Sequence, residues 1–198
     1  GYRSLAEMFL SQAGRRGDRV LYRFARNGHW ESYTWQEALR RVREIALGLV
    51  SLGVQKGDRV AIFSANRVEW SLIDWANICI GALTVPIYSS STPSQLSHIL
   101  THSGSAILFV ESPERLAKMN PLGPSFPQET KIVVMDPGNQ STASGAEPMR
   151  ALSLYELQEM GRRYGESHGK KRRDPRRHFL RRGTLGSDRG RQTERIRG

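Results

Sequence analysis

Cysteine is nearly missing from this 198-residue chain, where Cys79 stands alone. One thiol cannot close an internal disulfide or build a Cys-rich zinc site, so a reducing, cytoplasmic setting is the expectation. Long apolar runs are scarce too. The N-terminal stretch "GYRSLAEMFLSQAGRRGD" has no uninterrupted apolar segment, and no secretory signal is expected in it. The longest candidate for a membrane span, Trp70 to Tyr88, is interrupted by Asp74, Asn77 and Pro86 and reads instead as a buried helix followed by a buried strand. Two common nucleotide fingerprints are also missing: no G-x-G-x-x-G follows a strand, and no G-x-x-x-x-G-K-[ST] occurs.

Acidic residues are few, 19 against 30 Lys and Arg, for a net charge of +11. The imbalance is local. Residues 169–198 hold 12 basic and 3 acidic residues, whereas residues 1–168 hold 18 and 16. Attraction to phosphates, which a strongly basic chain would suggest, is therefore a question about the tail alone. That tail has only Phe179, Leu180, Leu185 and Ile196 as clearly apolar residues, too few to offset the entropy of ordering it, so disorder is expected there. The remaining residues have the length and composition of one globular domain.

What is present in residues 1–168 alternates between helix and strand signals. Ser4 and Glu7 suit the start of a helix, and Asn27-Gly28 separates two strand-like runs as a hairpin turn. Thr34 and Glu37 form a capping box ahead of Trp35, Leu39, Val42, Ala46, Leu49 and Leu52 at helical spacing, with Gly53 as the stop. A strand over Arg59 to Ser64 leads to a helix over Val68 to Ala82, expected to be capped by Asn66 and apolar nearly all round. The strand "TVPIY" then leads to a helix with Thr92 as N-cap, Pro93 first and Gln95 as capping partner. Short strands follow at Ala106 to Val110 and Lys131 to Met135, then a flexible loop from Asp136 to Pro148. A last helix begins at Ser153 and Glu156 and fades near Gly161 to Gly165. Continuous β-rich runs alternating with helices indicate an α/β fold, a parallel sheet flanked by helices on both faces.

Candidate chemistry is thin. The two "GDRV" strings, at Gly17 and Gly57, read as turns feeding strands. His98 and His102 have the i, i+4 spacing of a shared metal, but Ile99 stands where a zincin has Glu and no third ligand is evident. They are read as helix-surface histidines. The hydroxyl run Ser89 to Thr92 is read as helix capping, since no base is placed to activate a nucleophile. Trp30, Trp35, Trp70 and Trp75 are expected to pack in the core rather than stack on bases.

The ordered string from Tyr33 to Ser112 resembles the N-terminal region of the AMP-forming acyl-CoA synthetases of the adenylate-forming superfamily, and within them the long-chain fatty acid CoA ligases. The matching pieces are Tyr33-Thr34-Trp35 with Glu37 and Leu39, Gly57-Asp58-Arg59-Val60-Ala61, Asn66-Arg67 with Glu69-Trp70, and Gly81-Ala82 with Val85-Pro86-Ile87-Tyr88. Weaker similarity extends from Leu5 to about Tyr164. The resemblance implies a two-step ligase that uses fatty acid, ATP, Mg²⁺ and CoA. The carboxylate attacks the α-phosphate to give acyl-AMP, and the CoA thiol then displaces AMP. It also implies frequent association with membranes.

The chain departs from that pattern where the family binds phosphate. The loop of the form Y-T-S-G-T-T-G-x-P-K-G, expected shortly after the Leu154 to Arg163 helix, is not in this sequence. Nor are the later motifs for adenine, ribose and Mg²⁺ or the C-terminal domain with its lysine. No catalytic, cofactor-binding or metal residue is therefore assigned, and no cofactor is expected for this chain by itself. Residues 1–168 are read as a partial N-terminal ligase domain and residues 169–198 as a basic disordered tail, for which a frame shift or mis-splicing is the expected origin. A forward shift of one nucleotide permits Gly-Arg-Pro-Lys-Gly across Arg191 to Arg195 and Ser-Gly-(Ala or Pro)-Thr-Gly across Leu185 to Arg189. These fragments are close to the missing loop. The alternative is a truncated product whose tail engages nucleic acid or an anionic membrane; a biological nucleic-acid role is the less expected of these outcomes.

Overall fold

The computed structural model describes residues 1–26, 28–117, 119, 126–127, 129–136 and 151–169. The chain runs α1 (Leu5–Arg16), β1 (Val20–Arg26), β2 (His29–Thr34), α2 (Trp35–Ser51), β3 (Arg59–Phe63), α3 (Val68–Ile80) and β4 (Leu83–Ile87). It continues through α4 (Pro93–Ser103), β5 (Ile107–Val110), α5 (Pro113–Ala117), β6 (Lys131–Val134), β7 (Ala151–Ser153) and α6 (Leu154–Gly169). The expected tail disorder, most of the loop after Asp136, and Asn27 of the hairpin turn lie outside the described residues.

Helix starts follow the local chemistry. Thr34 Oγ1 accepts the Glu37 amide at 3.2 Å while Glu37 accepts the Thr34 amide at 2.8 Å, and Thr92 and Gln95 repeat this box at α4. α3 begins differently from expectation. Arg67, not Asn66, occupies the N-cap position and makes no side-chain cap. Its guanidinium is bonded elsewhere, as described below. The helix also ends at Ile80 rather than Ala82, because Gly81 turns left-handed at φ 76°.

β1 and β2 form an antiparallel hairpin, and the other five strands make a wholly parallel sheet in the order β4-β3-β5-β6-β7. The expected α/β fold is thus present. Among the described residues β4 is an edge strand. The Leu83 amide points inward to Asp58 O at 2.8 Å, so alternation turns Pro86, which has no N–H, toward the open side. A proline there leaves no ladder bond unmade and discourages strand addition.

Alternation along β3 divides the core. Val60 and Ile62 join Phe9, Ile45, Leu49, Ile73 and Leu157 on one face, while Ala61 and Phe63 join Leu96, Leu100 and Leu108 on the other. Both faces of the sheet are covered. α6 does not fade at Gly161 and Gly165 as the sequence suggested. Those glycines are where it crosses α2, and a side chain at Gly161 would meet the backbone at Glu44 and Gly48. A tight crossing without side chains is read from sequence alone as a helix end.

Trp30 also departs from expectation. Trp35, Trp70 and Trp75 are partly buried against the core, but Trp30 is 80% exposed. It lies opposite Ala25 on the face of the hairpin turned away from Phe24 and Tyr33.

Candidate functional site

In an open parallel sheet, ligands bind beyond the carboxyl ends of the strands where the strand order reverses. Here β3 connects outward to β4 while β5 connects the other way to β6, so the reversal lies between Phe63 and Val110. The residues just beyond these ends are polar and interlocked. Glu111, directly after β5, accepts the Ala65 amide at 3.1 Å and pairs with Arg115 at 3.1 Å. Arg115 donates to the Ser89 carbonyl at 2.5 Å and lies over the Phe63 ring, 5.2 Å from its centroid. The loop after β4 is thereby tied to the ends of β3 and β5.

A second cluster adjoins it. Arg67 Nε pairs with Glu69 at 2.7 Å; the same guanidinium donates to the Glu111 carbonyl at 3.4 Å and lies 3.8 Å from Asp136. Arg26 of the hairpin reaches the other Glu69 oxygen at 2.5 Å. Burial alone would raise the Glu69 carboxyl. The Arg67 hydrogen bond, the helix backbone and the two arginine charges outweigh it and hold the group below the usual carboxylate range.

Beside these clusters lies an open groove of about 700 Å³, lined by Tyr88, Ser90, Ser91, Ser94, Gln95, His98 and Ile99. It is rich in hydroxyl groups and carries no lysine or arginine. No cation in its wall is placed to neutralise a triphosphate, so this groove's lining does not fit ATP. The Thr92 hydroxyl is engaged in the α4 cap, as its sequence context suggests. His98 and His102 stack with ring centroids 5.9 Å apart. Among the described residues no group of three or more His, Cys, Asp or Glu could hold a metal ion. Cys79 is buried, and desolvation pushes its thiol up to about 12.

The charged residues at this edge were missed from sequence. One signal was available: Glu111 immediately follows the apolar run ending at Val110, where a parallel strand presents its carboxyl end.

An open parallel sheet with a polar carboxyl edge makes this an α/β domain. Residues 9–174 match the AMP-binding enzyme family, and the chain belongs to that family. It is 44% identical over 116 residues to the long-chain-fatty-acid–CoA ligase FadD15 of Mycobacterium bovis, covering 59% of this chain and 19% of that protein. It is 31% identical over 143 residues to fatty acyl-CoA synthetase A of Dictyostelium discoideum, covering 71% of this chain and 21% of that protein. The chain thus spans about a fifth of the length of these curated relatives. Among solved structures, the anthranilate CoA ligase AuaEII bound to anthranoyl-AMP superposes with a TM-score of 0.66. That match has 20% identity and covers 80% of this chain and 28% of that one, a likeness of fold.

Proposed function

We propose that the chain is an N-terminal segment of a long-chain fatty acid CoA ligase and that it supplies scaffold rather than catalytic groups. The observation that carries this reading is the 44% identity to FadD15 over 116 residues. The intact ligase would join a fatty acid to CoA at the expense of ATP. The carboxylate oxygen bonds to the α-phosphorus and pyrophosphate leaves. The CoA sulfur then bonds to the acyl carbon and AMP leaves. ATP, Mg²⁺ and CoA are its cofactor and substrates, and peripheral contact with a membrane belongs to the same reading.

The chain itself does not adenylate, because it carries no phosphate-binding loop and its groove has no cation for the polyphosphate. Residues 1–168 are the partial domain, and the tail from 169 stands where the loop is expected. The test is fatty-acid-dependent ATP–pyrophosphate exchange by the purified chain. No exchange above background is expected, and clear exchange would overturn the scaffold role.

The 12 basic and 3 acidic residues of the tail favour a second reading, a truncated product that binds polyanions. Salt-dependent binding that vanishes when residues 169–198 are deleted would support it. Binding unchanged by the deletion removes it.

A further inference from the structure

α4 turns one row of polar side chains to solvent. Ser94, His98 and His102 recur every four residues along it, and all three are exposed. On the opposite side Leu96 and Leu100 are buried, which fixes the rotation of the helix and keeps that row outward. The imidazoles of His98 and His102 stack with their planes 28° from parallel. Apart from this mutual contact, neither ring has a hydrogen-bond or ion-pair partner among the described residues. Their ring nitrogens are therefore unengaged there.

We propose that His98 and His102 chelate a divalent transition-metal ion of the Zn²⁺, Ni²⁺ and Cu²⁺ class, with solvent completing its coordination. Imidazole suits these ions, and two histidines at i and i+4 can share one metal from a single helix face. The distance agrees. A zinc ion about 2.1 Å from a ring nitrogen lies about 3.2 Å from that ring's centroid, so two rings on one ion have centroids at most about 6.4 Å apart. The centroids here are 5.9 Å apart. No hydrogen bond restrains the exposed rings, so each can turn a nitrogen toward a common point. The surroundings agree as well. His98 lines the groove of about 700 Å³, which leaves room for coordinated water and holds no lysine or arginine to repel a cation. Ser94, one turn before His98, offers a hydroxyl to such a water. Ile99 stands where a zinc protease carries its glutamate base, so the site binds metal without that chemistry. This inference goes beyond the ligase reading and is independent of it. Mg²⁺, the ion of that reading, prefers oxygen ligands and does not suit two imidazoles.

The test uses the full chain at neutral pH and equilibrium dialysis against Zn²⁺, with Mg²⁺ in parallel. Zn²⁺ is expected to bind and Mg²⁺ to leave that binding unchanged. His98→Ala and His102→Ala are each expected to weaken zinc binding about tenfold or more, because either change destroys the chelate. The double variant should be little worse than either single one. His29→Ala, His168→Ala and His178→Ala, at the chain's other histidines, should bind as the parent does. Bound Cu²⁺ gives a second readout: its paramagnetic resonance should show two imidazole nitrogens in the parent and fewer in either chelate variant. Positions 98 and 102 are exposed, and an unchanged far-UV spectrum establishes that the variants fold. Four results overturn the proposal: no zinc binding, binding that survives both His98→Ala and His102→Ala, equal loss in the control variants, or displacement of zinc by Mg²⁺.

Discussion

Gly161 of α6 lies so close to Glu44 of α2 that a Cβ at position 161 would overlap the Glu44 carbonyl oxygen, and it would lie 2.7 Å from the Gly48 amide nitrogen. The closeness is reciprocal. A Cβ at Gly48 would strike the Leu157 backbone and lie 2.9 Å from Leu157 Cδ1. α6 therefore crosses α2 with the backbones in close approach at Gly161, while Leu154 and Leu157 anchor it in the core.

Gly161→Ala is expected to cost about 1–3 kcal/mol, the usual range for overpacking, because the atoms struck are backbone and cannot swing away. Urea unfolding measures it. Gly14→Ala in α1 is the control. Nothing lies within 4 Å of its missing Cβ, so better helix propensity should make that variant equal to or slightly more stable than the parent. Equal stability for the two variants would contradict the crossing.

Glu69 joins Arg26 and Arg67, and so ties the hairpin to the start of α3. Its carboxyl is held below the usual range in the fold, so the unfolded chain takes up that proton first as pH falls. The stabilisation is present above the ordinary carboxylate pKa of about 4.3 and is lost as pH drops through the depressed native value. Glu69→Gln should cost about 1–3 kcal/mol at pH 7. The gap from the parent should close toward pH 3, and a gap constant with pH would refute this coupling.

Cys79 is buried and its thiol is pushed up to about 12, so almost no thiolate exists at neutral pH. Iodoacetamide is expected to leave the native chain unmodified and to label it rapidly once denaturant unfolds it. Mass spectrometry reads both states. Fast labelling of native protein would show that α3 opens locally.

Much of this fold was legible from residues alone. The boxes Thr34–Glu37 and Thr92–Gln95 bracket their helices because both halves of each motif lie within one turn. The parallel sheet followed from short apolar strands alternating with helices. What escaped depended on partners distant in sequence. Arg26 reaches Glu69, and Arg67 reaches Glu111 and Asp136, only after the sheet forms, and no local pattern joins them. Arg67 took the place expected for Asn66 because its guanidinium is anchored to Glu69 and Glu111. Gly161 resembles a helix stop until α2 is beside it. Trp30 was expected inside as an aromatic, yet a two-stranded hairpin buries one face, and the pairing Ala25↔Trp30 fell on the other. β7 was unrecognised, since three residues give no period to read.

The central claim, that this chain is an N-terminal ligase segment whose phosphate loop is displaced by the residues after 168, is tested most directly at the nucleotide level. The measurement is the sequence of the gene and its transcript from the codon for Ala151 to well past the stop. A neighbouring frame or alternative splice is expected to continue into Y-T-S-G-T-T-G-x-P-K-G and the remaining ligase motifs. If no frame or splice continues that way, the tail is the genuine sequence, the displaced-loop account is wrong, and polyanion binding by residues 169–198 becomes the function to pursue.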